Sequence, residues 1–106
     1  MARTIVERRH DRRCTAAALR VSQATLRPGR EVRVIDLSAA GAQVQTGRPL
    51  RPGSRIHIRF VLQSCSVSVA AHVVRCSVWA VHPEHGVTYR GALHFDERCI
   101  RLMESA

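Results

Sequence analysis

Two short segments of the chain carry side chains that together could read a guanine base or a nucleotide phosphate. Near the start, Glu7-Arg8-Arg9-His10-Asp11-Arg12-Arg13 sets two guanidinium groups at the spacing Arg9-x-x-x-Arg13. Each can grip the O6/N7 edge of a guanine, or two oxygens of a phosphate, with paired N–H donors. Beyond residues 14–35 comes Asp36-Leu37-Ser38-Ala39-Ala40-Gly41. Its Asp36 carboxylate can accept the N–H donors on the other edge of guanine, and Gly41, lacking a Cβ, lets backbone approach closely. Each segment has a bland reading when taken alone. An Arg pair at this spacing in a chain with 17 Arg is ordinarily solvated charge. Asp-x-Ser-x-x-Gly is also the composition of a turn in which Asp36 and Ser38 bond backbone and Gly41 takes positive φ. Their joint occurrence, with the strand pattern downstream, favours a site.

The elements that must position these residues are strands. Ile56, Ile58, Phe60 and Leu62 alternate with Arg55, His57 and Arg59, while Val67, Val69, Ala71 and Val73 alternate with Ser66, Ser68, Ala70 and His72. Val87, Tyr89, Gly91, Leu93 and Phe95 alternate in the same way with Thr88, Arg90, Ala92 and His94. This period of two gives each strand one dry face. Residues 16–21 and 32–37 form further strand-like runs, and Pro28-Gly29, Pro52-Gly53 and His82-Pro83-Glu84-His85-Gly86 supply turns. The expected fold is all-β, a six-stranded antiparallel (split) β-barrel that shares the dry faces as its interior. Asp96 is placed to cap a short C-terminal helix carrying Cys99, Ile100, Leu102 and Met103. Val32 and Val34 share the parity of Asp36 and Ser38, so the strand must leave the barrel or bulge near Ile35 for the motif to face outward. Trp79, the last apolar residue before the final turn, is expected to lid the barrel. His82 and His85 are expected at a solvated hairpin tip.

A chain of 106 residues suits one domain, read as a flexible tail over residues 1–6 and a barrel domain over 7–106. The formal charge is +9, and all 17 basic residues are Arg. Arg3, Arg8, Arg9, Arg12 and Arg13 cluster against Glu7 and Asp11, a field that attracts anions. No apolar run approaches the about 18 residues of a membrane helix, so the expectation is a cytoplasmic protein without membrane insertion. Cys14, Cys65, Cys76 and Cys99 lack a paired Cys-x-x-Cys spacing and are read as small buried hydrophobes rather than metal ligands. No nucleophile with a base partner and no paired carboxylates occur, so neither an enzyme nor a cofactor is expected. A small basic barrel also raises nucleic acid as an alternative partner. Its only aromatics are Phe60, Trp79, Tyr89 and Phe95, most of them on or near the dry face, which leaves few platforms for stacking bases.

In this order and at this separation, the Arg segment and the Asp36-x-Ser38-x-x-Gly41 segment resemble the PilZ domain, the bacterial receptor module for cyclic di-GMP. His72-Val73-Val74-Arg75-Cys76 is similar to the family's Val-Val-Arg strand, and Tyr89-Arg90-Gly91-Ala92-Leu93-His94-Phe95 to its closing Gly-x-x-Phe strand. Arg8-x-x-x-Arg12 offers a second pair in the same segment. The Arg9/Arg13 register is preferred because family members run Arg-Arg-x-x-x-Arg directly into the first strand. The resemblance implies that Arg8, Arg9, Arg13, Asp36, Ser38 and Gly41 bind cyclic di-GMP, that the Arg segment folds across the ligand, and that the signal passes to an effector protein. It also implies up to two ligands per chain, because the residue before the first motif Arg, here Arg8, influences whether a stacked pair is bound. Within the same family, a domain acting only through protein contacts is the other possibility, and the intact motifs count against it.

Overall fold

In the computed structural model the dry faces close on one another around a single apolar interior. The structure describes residues 14–15, 21, 23–27, 29–63 and 65–99, and every regular element among them is a strand. These are β1 (Cys14–Thr15), β2 (Gln23–Leu26), β3 (Arg30–Leu37), β4 (Gly41–Thr46), β5 (Arg55–Val61), β6 (Ser66–His82) and β7 (Gly86–Phe95). The pairing runs β3–β2–β5–β6–β7–β4 and returns to β3, antiparallel throughout, so six strands form a closed ring. The two-residue β1 is an addition, pairing with the end of β3 beyond the reach of β2.

Period-two alternation explains why these segments are strands and which way they face. Ile58, Phe60, Leu62, Val67, Ala71, Val73, Leu93 and Phe95 are buried, and Val32, Val34, Leu37 and Val44 meet them from the other side of the ring. Phe60 and Phe95 touch edge to face at 6.1 Å and 68°, a geometry that adds to simple burial. At the Arg51–Ser54 turn, the Ser54 N–H donates to the Arg51 carbonyl at 3.1 Å and Gly53 sits at φ 86°. Pro pre-sets the first central position of such a turn, and the second favours Gly.

The structure departs from sequence expectation in three places. β6 does not end at Trp79 but runs to His82, so the β6–β7 hairpin projects past the barrel and Trp79, 56% exposed, lids nothing. A register shift between Val78 and Ala80 leaves Trp79 as the extra residue of a bulge, where the Arg90 guanidinium covers its ring at 3.7 Å. His82 and His85 do lie at the exposed tip. Second, Asp96 to Cys99 form bends and irregular chain instead of a first helical turn, and the expected helix beyond them lies outside the described residues, as does the expected N-terminal tail. Third, Cys65 is exposed, while Cys76 and Cys99 are half-buried against the core.

Just after β7, the Asp96 carboxylate bonds Arg55 Nη2 of β5 at 2.6 Å and lies 3.6 Å from His72 Nδ1 of β6. Desolvation pushes this carboxyl up, but the Arg55 guanidinium and the nearby His72 outweigh it and hold the group below the usual carboxylate range. A carboxyl lowered in the folded state adds stability above its unfolded pKa of about 3.9, and that contribution is lost as pH falls through the folded value. Asp96→Asn should therefore lower the melting temperature by a constant small amount at neutral pH, and the difference from wild type should shrink on acidification. Parallel melting curves from pH 6 to pH 3 check this, and a difference independent of pH would refute the linkage.

Candidate ligand-binding site

The motif at the end of β3 faces outward because the strand bulges. Val32 and Val34 are buried, and the β3–β4 register then shifts between Val34 and Asp36, so that Leu37 takes the next inward place and Asp36 turns toward the surface, half-buried. The parity conflict at Ile35 is resolved there by one extra residue. Asp36 is not a free carboxylate; it is already engaged in an interaction.

Ser38 has a different role. Only 1% exposed, it accepts hydrogen bonds from the Ala40 and Gly41 N–H groups at 3.2 Å each, and its hydroxyl donates to the Gly41 carbonyl at 3.4 Å. The Ser38 N–H also donates to the Gly41 carbonyl at 2.9 Å. Ser38 therefore clamps the β3–β4 turn. Gly41 is not in the left-handed region; it is needed because a Cβ there would fall on the Leu93 carbonyl oxygen of β7. The end of β7 and the chain after it brace the same turn, with the Phe95 N–H donating to the Ala40 carbonyl and the Cys99 N–H to the Ala39 carbonyl, both at 2.7 Å. Sequence reasoning thus finds Ser38 and Gly41, and the structure shows them building the turn.

Arg8, Arg9 and Arg13 lie outside the described residues. The strand that follows them does not. Cys14 pairs with Leu37 and Thr15 with Asp36, so the chain leaving the Arg segment enters the barrel beside the Asp36–Gly41 turn. Next to that turn, a groove of about 210 Å³ runs over the outer surface of β4, β7 and β6, lined by Gly41, Gln43, Arg75, Ala92 and His94 among others. Sequence reasoning missed Gln43, Arg75 and His94 as surface neighbours of the motif. Simple alternation after Val73 would put Arg75 inside the barrel.

A family model for the PilZ domain matches residues 7–100. The chain belongs to the PilZ domain family. The match takes in the Arg segment, the Asp36–Gly41 motif and the closing strand β7. PilZ domains generally bind cyclic di-GMP and act as receptors, generally not as enzymes. No curated protein and no solved structure matches the chain. Among the described residues of this PilZ domain, no helix is long and apolar enough to cross a membrane.

Proposed function

We propose that this PilZ domain is a cytoplasmic bacterial receptor for cyclic di-GMP. Arg9 and Arg13 grip phosphate and the O6/N7 edge of guanine, and Asp36 accepts guanine N–H. Ser38 and Gly41 hold the turn that presents Asp36. The reading is carried by the backbone pairing of Cys14–Thr15 with Asp36–Leu37, which tethers the Arg segment to the acceptor strand. Ligand binding folds that segment across the ligand on the barrel surface, and the liganded form is what an effector protein recognises. Arg8 supplies an additional fork, which lets a stacked pair of ligands bind to one chain.

Calorimetric titration tests this directly. Cyclic di-GMP should bind with a dissociation constant of about 1 μM or tighter, about −8 kcal/mol, with two ligands per chain at saturation. A hundredfold excess over the dissociation constant should stabilise the fold by about 2.7 kcal/mol, raising the melting temperature. A titration ending at one ligand would remove the role given to Arg8 and leave the receptor reading standing. No heat and an unmoved melting curve at high micromolar ligand would refute the reading. A single-stranded oligonucleotide binding more tightly than the dinucleotide, with a steep salt dependence, would assign the basic surface to nucleic acid instead.

A further inference from the structure

Two bulges in different strands turn two side chains of complementary chemistry onto one outward row. In β3 the register shift between Val34 and Asp36 brings out Asp36. In β6, Val67, Ala71 and Val73 are buried and alternation would bury residue 75 next, but the shift between Val73 and Arg75 makes Val74 the extra residue and leaves Arg75 exposed. The two positions lie on one cross-strand line, because Asp36 pairs with Gln43, Gln43 with Ala92, and Ala92 with Arg75. Three strand spacings of about 4.8 Å separate their Cα atoms by about 14 Å. Between them stand Gln43 and the small Ala92, and the groove beside the Asp36–Gly41 turn is lined by both of these and by Arg75.

The Arg75 side chain is also uncommitted, unlike those of Arg55, Arg59 and Arg90. Arg55 is held by Asp96 and Arg90 lies on Trp79, whereas the Arg75 side chain has no hydrogen bond or ion pair with another described residue. Bulges are over-represented next to functional sites, where they re-aim a side chain. One bulge could be a packing accident; two that meet on one row across four strands call for a ligand spanning it.

We propose that Arg75 is a base-reading contact of the same cyclic di-GMP site, its guanidinium donating to guanine O6 and N7 from the far side of the groove while Asp36 accepts the N–H donors of the opposite edge. This rests on the receptor reading above and adds base specificity to it. Adenine offers an N6 amino donor where guanine has the O6 acceptor, so the Arg75 donors reject it.

The test is titration of the wild type and the variants Arg75→Ala, Arg75→Lys and Asp36→Asn with cyclic di-GMP and with cyclic di-AMP. Arg75→Ala should weaken cyclic di-GMP binding by about 5- to 150-fold and narrow the preference over cyclic di-AMP. Arg75→Lys should fail to restore it, since an ammonium lacks the fork. The ligand-free melting temperature should not move, because Arg75 is exposed. Affinity of Arg75→Ala within about twofold of wild type, with Asp36→Asn impaired, would overturn the proposal while the receptor reading survives. Full rescue by Arg75→Lys would overturn it too, showing diffuse charge. A wild type that binds no cyclic di-GMP removes both readings.

Discussion

Gly41→Ala is expected to destabilise the domain by about 3 kcal/mol or more, the upper end of the usual cost of overpacking. The added Cβ meets backbone, not a side chain that could swing away. It would fall on the Leu93 carbonyl oxygen and within 3.4 Å of His94 Cα, in the strand with which Gly41 itself pairs. Relief requires β4 to part from β7 where the Ser38 clamp and the Phe95-to-Ala40 bond also hold the chain. A fall in melting temperature of about 12 °C or more follows for a domain of this size. Gly47→Ala is the control: a Cβ there meets nothing within 4 Å, so it should be neutral or mildly stabilising. A Gly41→Ala protein as stable as wild type but poor at binding ligand would show that the glycine serves the ligand and not the strand.

Gly41 also illustrates how far the sequence can be read. Its need for a missing Cβ is legible, but the sequence does not tell whether ligand, positive φ or a neighbouring strand imposes it. Only the β4–β7 register decides that, and register is a long-range property. The barrel itself is legible because alternation is local: Ile58, Phe60, Val67, Val73, Leu93 and Phe95 fall inward as their spacing predicts. The β3 bulge is legible for the same reason, since buried Val34 and outward Asp36 cannot share a regular strand. The β6 bulges give no such warning. Val73-Val74-Arg75 and Val78-Trp79-Ala80 contain no Gly or Pro, and either alternation would make a strand. Arg75 and Trp79 are therefore misplaced by parity, and the length of the hairpin is missed with them. Of the candidate site, the motif residues can be read from the chain, whereas the groove that extends from them across β4, β7 and β6 exists only after pairing.

Replacing both Arg9 and Arg13 with Lys should weaken cyclic di-GMP binding by about 30-fold or more while leaving the formal charge at its wild-type value. Each bidentate contact is worth about 1 to 3 kcal/mol of recognition, so losing two costs about 2 to 6 kcal/mol and moves a micromolar ligand toward or beyond the millimolar range. Lys retains the positive charge but, as a compact ammonium, cannot present two parallel donors to guanine or phosphate. The fold should be indifferent, because among the described residues the buried cluster is built from β2 to β7 and their loops, and the substitutions conserve charge. Arg27→Lys sets the baseline. Arg27 lies at the turn between β2 and β3, exposed, in a separate pocket with His57 and Arg59, and its replacement should leave affinity unchanged. Because the variants carry equal charge, long-range attraction is alike in all of them, and a difference isolates the fork geometry. If the double variant and Arg27→Lys bind as the wild type does, the chain's excess of arginine acts as a diffuse field. If both weaken binding equally, the Arg9-x-x-x-Arg13 spacing carries no special role.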